Sequence, residues 1–156
     1  MSPSRSIFTR LLSALLFLAL SSQFSDVHAA DPKLSPRELR SKAETAASKG
    51  EMNTAIHFYS ALIDAEKSQI NYFHRANLYL KRHQYAHALS DLREAIELDP
   101  KFLKGRMLRA KIFKVTGQCD KALTELKDIL AQQATHKEAT IELPKVQTCV
   151  QLVQQA

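Results

Sequence analysis

Glycine is scarce in this 156-residue chain: there are three, alongside five prolines. Gly50, Gly105 and Gly117 stand far apart, so neither GxGxxG nor GxxxxGK[ST] occurs and phosphate-cradling loops are excluded. So few chain breakers also disfavour β-sandwiches and doubly wound folds, which need many sharp turns. Tryptophan is absent, and two cysteines are too few for a dense disulfide framework. No Asn-x-Ser/Thr sequon occurs. Neither sign of charge dominates, with 22 Lys and Arg against 16 Asp and Glu. The bases are spread along the chain rather than gathered in a stripe with aromatic neighbours, which argues against a nucleic-acid partner. Apolar residues make up 45% and charged residues 24%, which excludes disorder throughout. What remains is an all-helical protein held together by packing.

The N-terminus has its own grammar. Arg5 and Arg10 precede an apolar run from Leu11 to Leu20 (LLSALLFLAL), and Val27-His28-Ala29-Ala30 follow a polar stretch. This order is that of a secretory signal peptide over residues 1–29, with Val27 and Ala29 suiting the small-residue cleavage rule. The run is too short to cross a bilayer, which takes about 20 residues. After cleavage at Ala29 or Ala30 no stable membrane insertion is expected.

The rest of the chain repeats. Ala43 and Ala55, Ala76 and Ala88, Ala110 and Ala122 form three pairs of equal spacing. Five residues before the second Ala of each pair come Gly50, His83 and Gly117. Four after it come Tyr59, Leu92 and Leu126, and seven after it Leu62, Ala95 and Ile129. Such a period marks stacked supersecondary units. The spacing predicts antiparallel helix pairs over 36–49 and 52–66, 69–82 and 85–98, 101–115 and 119–132. The Ala pairs let each couple of helices cross closely. Ser35, Pro36 and Glu38 make a capping box with proline at the first helical position. Asp99-Pro100 closes the second unit, because proline disfavours helical geometry in the residue before it. The tail Lys145 to Ala156 reads as a further helix with Val146, Cys149, Val150 and Val153 on one stripe. Gln147, Gln151, Gln154 and Gln155 supply a polar outer face. Residues 136–156 are therefore either a capping helix or the opening of a fourth unit.

Tyr72 to Pro100 (YFHRANLYLKRHQYAHALSDLREAIELDP) resembles a tetratricopeptide repeat, with its paired Ala, late aromatic and terminal Asp-Pro. The resemblance covers residues 36–134 as units 36–68, 69–102 and 103–134. It implies a right-handed superhelix of stacked antiparallel helix pairs, about three repeats plus a C-terminal helix. The leader, FxRA, ALSDLREAIELDP and RAKIFKVTGQCDKAL together are similar to the N-terminal repeats of endoplasmic-reticulum DnaJ co-chaperones of the subfamily C member 3 type. The chain has no His-Pro-Asp tripeptide, so the resemblance carries no expectation of J-domain stimulation of an Hsp70 ATPase. It implies a lumenal location, although the last residues form no KDEL-type retention signal.

Residue sets with catalytic or ligating spacing are not evident. His83 and His87 are four apart, but His83 falls at a turn and no Cys or carboxylate completes a metal set. Asp91 and Glu94 beside Arg93 read as a solvated charged face. Ser60 and Ser68 have no obvious basic partner. The chain is read as no enzyme, with no cofactor and no metal. Cys119 falls at the turn inside unit three and Cys149 near the start of the following unit. A helix of about 14 residues, roughly 20 Å long, would separate them. A disulfide needs Cα atoms within about 7 Å, so no intrachain bridge is expected.

The family geometry places the first helix of each unit on a concave face. That assigns Arg37, Arg40 and Glu44 from unit one and Ile70, Phe73, His74, Asn77 and Leu80 from unit two. Unit three supplies Lys104, Met107, Leu108, Lys111 and Lys114. The middle is apolar and the ends cationic. Family members that grip the terminal carboxylate of cytosolic Hsp70 or Hsp90 use five polar positions. Here Arg40 and Lys104 match, while Glu44, His74 and Leu108 do not, and Glu44 repels a carboxylate. The resemblance instead implies an apolar groove holding unfolded or misfolded client segments, as a holdase-type co-chaperone in the endoplasmic-reticulum lumen with Hsp70 as an indirect partner. The alternative is a secreted or periplasmic scaffold docking one folded partner.

Replacing Leu15 and Leu16 with Arg interrupts the apolar run with two charges and is expected to abolish translocation. Cell fractionation with N-terminal sequencing checks it. A processed chain beginning near Asp31 in the secretory pathway of that variant would sink the leader reading.

Overall fold

The structure, a computed structural model, describes residues 34–155. The segment read as a secretory leader lies outside the described residues. Among the described residues seven helices follow one another: α1 Pro36–Ser48, α2 Met52–Ala65, α3 Gln69–Lys81, α4 Tyr85–Leu98, α5 Leu103–Val115, α6 Cys119–Gln132 and α7 Lys137–Gln154. Among the described residues there is no strand, and no helix is long and apolar enough to cross a membrane. Each helix packs chiefly on its neighbours in sequence, which gives a solenoid of helix pairs α1–α2, α3–α4 and α5–α6 with α7 laid on α6.

Local chemistry explains the boundaries. The Ser35 hydroxyl accepts from the Glu38 amide and the Glu38 carboxylate accepts from the Ser35 amide at 2.8 Å, closing the capping box that starts α1. Ser68 caps α3 through its hydroxyl. The three turns within pairs each need a left-handed residue, and Gly50, His83 and Gly117 take φ of 79°, 57° and 75°. Glycine adopts this conformation without the steric cost that a side chain adds. α4 ends at Leu98, one residue before Asp99-Pro100.

The Ala pairs lie at the helix crossings. Ala43, Ala55, Ala76, Ala88 and Ala122 are fully buried and Ala110 nearly so. Tyr59, Leu92 and Leu126, with Leu62, Ala95 and Ile129, fill the space around them and are also buried. Burying a leucine contributes about 2 kcal/mol, so these positions supply much of the driving force for stacking.

A second tie recurs at the same period. Arg75 on α3 donates from Nε and Nη2 to the two Asp91 carboxylate oxygens on α4, at 2.9 and 2.7 Å, and from Nη1 to the Ser60 hydroxyl on α2 at 2.9 Å. One repeat later Arg109 and Arg106 both bind Glu125. One repeat earlier the equivalent positions are Lys42 and Phe58, and the Lys42 ammonium lies 5.6 Å from the Phe58 ring centroid. A cation–π contact thus stands where the later units place a buried ion pair. This corrects the reading of Asp91 as part of a solvated face: Asp91 is 4% exposed and doubly bonded to Arg75. Ser60 likewise has a basic partner.

The C-terminal expectation needs two corrections. A helix fills the expected 136–156 range, from Lys137 to Gln154, so it begins eight residues before the Lys145 stripe and carries Pro144 inside it. Cys119 and Cys149 form a disulfide, with Cα atoms 6.0 Å apart. The two errors have one cause. Cys119 opens α6 and lies a helix length from its end. Because α7 starts at Lys137 and runs back along α6, Cys149 falls near its far end, level with Cys119. Placing Cys149 at the beginning of a helix puts it at the wrong end of the pair.

Ala88→Leu forces three carbons into a filled crossing and is expected to cost about 1–3 kcal/mol. Denaturant unfolding of the variant measures this. An unchanged midpoint would contradict the placement of Ala88 at the α3–α4 contact.

Candidate functional site

The first helices of the three units contribute to one neighbourhood. The His74 imidazole on α3 is held below the usual histidine range, chiefly by burial. The cations of Arg40 on α1 and Lys104 on α5 lower it further, and the Glu44 carboxylate on α1 opposes them. One side chain on α3 therefore feels charged groups from both α1 and α5. The His74 ring stacks on Tyr59 with centroids 5.5 Å apart and planes 11° from parallel. Burial, with Glu44 adding to it, raises the Tyr59 phenol above its ordinary value.

The predicted groove residues separate into three groups. Ile70 is 40% exposed and is the one large apolar side chain among them that stands open to solvent. Phe73, His74, Asn77 and Leu80 are half-buried. Phe73 meets Phe102 edge to face at 5.3 Å, and Leu80 packs on the cluster around Ala76, Ala88 and Leu92. The Asn77 amide is turned back to donate to the Phe73 carbonyl at 2.8 Å. Met107 and Leu108 are 4% and 8% exposed and belong to the core, so they support the floor from beneath. Phe102 is held by Gly105: a Cβ there would lie 2.6 Å from the Phe102 ring. That absent side chain lets the ring reach Phe73.

The cations also separate. Lys104 is exposed and has no carboxylate within ion-pair distance among the described residues. Arg37 and Glu44 are exposed, and Arg40 reaches Glu66 at 3.5 Å. Lys111 and Lys114 are met by α7, at 2.5 Å from Glu138 and 2.5 Å from Glu142. The Glu142 carboxylate also takes Lys145 at 2.7 Å, and the two ammonium donors lower its pKa to about 2.

Sequence reasoning missed the contribution of α7 to this face. Carrying the 34-residue step forward from Lys104, Met107 and Lys111 lands on Glu138, Ile141 and Lys145. Ile141 is 51% exposed. α7 thus occupies the place of a first helix and extends the face by one more row. The two histidines weighed as ligands are engaged separately. The His83 Nδ1 lies 3.1 Å from the Tyr85 hydroxyl, and His87 sits against the Tyr79 ring at 5.1 Å.

A row of exposed and half-buried apolar groups flanked by cations can hold an extended polypeptide. Comparison with known proteins agrees with the fold. Residues 72–102 match the Tetratricopeptide repeat family. Serine/threonine-protein phosphatase 5 from Rattus norvegicus is 32% identical over 119 residues, which are 76% of this chain and 23% of that one. The tetratricopeptide repeat and J domain-containing co-chaperone DNJ1 of Fusarium oxysporum is 28% identical over 148 residues, 93% of this chain and 27% of that one. The chain therefore spans about a quarter of the length of these relatives. Among solved structures, the first TPR domain of human RPAP3 superposes with a TM-score of 0.70 at 22% identity, covering 78% of this chain and 96% of that one. The first TPR of Spaghetti (RPAP3), bound to the HSP90 peptide SRMEEVD, gives 0.69 at 23% identity, covering 80% and 98%. The described residues have the TPR solenoid fold, and the match at residues 72–102 is to that repeat's family.

The Glu142 carboxyl, depressed in the folded state, contributes stability above its ordinary value of 4.5 and loses it as pH falls toward 2. NMR titration is expected to show a Glu142 midpoint near 2. Glu142→Gln is expected to flatten the acid destabilisation of α7 across that window. A Glu142 midpoint near 4.5 would contradict the Lys114 and Lys145 bonds.

Proposed function

We propose that the chain is the polypeptide-holding module of a secretory-pathway co-chaperone, binding unfolded or misfolded segments in the endoplasmic-reticulum lumen ahead of Hsp70. The observation that carries this reading is Ile70. It stands open near the start of α3, with Phe73 half-buried one turn on and Leu80 half-buried toward the other end of the helix. Clients share exposed apolar segments rather than one sequence, so the contact that serves them is an apolar strip without strict polar readout. Lys104 and Arg37 at its ends add weak, salt-screened attraction.

Three further observations support the location and class. The N-terminal residues have the grammar of an export leader. Disulfides persist in oxidising compartments, and Cys119 and Cys149 are joined. The match to DNJ1, whose name joins these repeats to a J domain, covers 93% of this chain.

A terminal-carboxylate clamp has weaker support in these residues. Glu44 sits in the same neighbourhood as Arg40, His74 and Lys104 and repels an anion. Leu108, which stands where that clamp needs a cationic fork, is 8% exposed and part of the core. A scaffold for one folded partner would use the same face with a defined set of contacts.

Ile70→Asp leaves the core untouched and is expected to weaken binding of a reduced, unfolded model client about tenfold, a loss of about 1.4 kcal/mol. Melting and helix content should stay at the wild-type values. Titrations of unfolded client, native client and a peptide ending in a free carboxylate separate the readings. Binding of the native client alone, indifferent to Ile70→Asp, would favour the docking scaffold. Binding of the carboxylate peptide alone, lost on amidation, would favour the clamp.

A further inference from the structure

α7 is built differently from the helices it follows. In α1, α3 and α5 the positions that face the helix partner of the same unit are Leu39, Ala43 and Ala46; Tyr72, Ala76 and Tyr79; and Arg106, Ala110 and Phe113. One repeat further on they are Thr140, Pro144 and Gln147, all exposed. This face of α7 offers neither an alanine nor a large apolar side chain to a partner helix. Its opposite side buries only Ala139 and Val146 completely, against five buried residues in α5. Pro144 lies inside the helix and supplies no amide hydrogen, so one turn lacks its backbone bond. A helix so thinly packed is marginal by itself.

Two further sets of contacts hold it. One is the Cys119–Cys149 bond to the start of α6. The other is the ion pairing of Glu138 with Lys111 and of Glu142 with Lys114. Three of these four charged side chains are a third or more exposed, and Glu142 is 18% exposed. Such pairs contribute little when their helix is free to leave, because solvent and salt compete for them.

We propose that the Cys119–Cys149 disulfide is a redox latch, which keeps α7 as a strap whose Glu138 and Glu142 cover the last two lysines of the concave face, and which releases it on reduction by a dithiol. Cys149 is the more exposed partner, Cys119 being 2% exposed. A thiolate of the dithiol attacks one sulfur of the bridge, the sulfur–sulfur bond breaks, and the departing thiolate takes a proton. The second thiol of the reductant then displaces the remaining cysteine. Two electrons pass to the protein, which gains two thiols, while the reductant leaves as a disulfide. With α7 released, Lys111 and Lys114 lose their carboxylates and become available to an acidic polypeptide segment. This second consequence rests on the concave face being the binding face; the release of α7 does not.

Hydrogen exchange of the purified chain, with no client present, tests the latch. Oxidised protein, protein in dithiothreitol and Cys149→Ser are compared. Amides within 139–151 are expected to lose at least about tenfold protection in the last two, while α1 to α4 keep theirs. Unchanged protection in α7 would overturn the latch, since packing alone would then hold the helix. An even loss from α1 to α6 would overturn it too, as the bond would be a staple for the whole fold. An octaglutamate peptide at low salt reads the strap. It is expected to bind the reduced chain at least about fivefold more tightly than the oxidised one, and Lys111→Ala with Lys114→Ala should remove that gain. Equal binding in both redox states would overturn the strap.

Discussion

Everything in this protein depends on how closely two helices of a unit can approach. Each crossing is made by two alanines, and all six are buried. A larger side chain at any of them would part the helices and open the space that Leu62, Leu92, Leu126 and Ile129 now fill. Close crossing also fixes where the polar ties can form. Arg75 reaches both Asp91 and Ser60 because α3 lies against α4 and α2 at once. A bridge buried to this extent is a weak source of net stability but is costly to break from one side. Its repetition as Arg109 with Glu125, and its replacement by Lys42 over Phe58 in the first unit, show one geometric slot filled by two chemistries.

The scaffold was largely legible in the residues. The alanine spacing, the left-handed turn positions at Gly50, His83 and Gly117, and the Ser35–Glu38 cap locate six helices to within one or two residues. These signals are local or periodic, so they survive without knowledge of tertiary contacts. What stayed hidden depended on partners far along the chain. Asp91 looks like any surface carboxylate until α3 brings Arg75 against it. Cys149 cannot be paired with Cys119 until the start of α7 is known, and Pro144 points to a break where the helix continues. The 34-residue step was the available signal for α7, since it carries Lys104 onto Glu138.

The candidate face was legible in outline and less so in depth. Which residues lie along α3 and α5 follows from the repeat, but whether a side chain points to solvent or core turns on a shift of one residue. Met107 and Leu108 fell on the core side. Ile70 fell on the open side, so the apolar strip is narrower than its composition suggests. It rests on a ring contact, Phe73 on Phe102, that exists because Gly105 has no side chain. The electrostatics are also more divided than a count of lysines conveys. Lys104 is left open, whereas Lys111 and Lys114 are answered by α7. A ligand on this face therefore meets apolar surface near Ile70, bare positive charge near Lys104 and compensated charge beyond it.

The central claim is that unfolded polypeptide is held along the first helices of the units. Amide chemical-shift mapping tests it most directly, by titrating the 15N-labelled oxidised chain with a reduced, unfolded model client. The account predicts that perturbations gather on α3 around Ile70, Phe73 and His74, with weaker effects at Arg40 and Lys104. The outer helices α2, α4 and α6 should stay quiet. Perturbations confined to α2, α4 and α6, or none at saturating client, would contradict it.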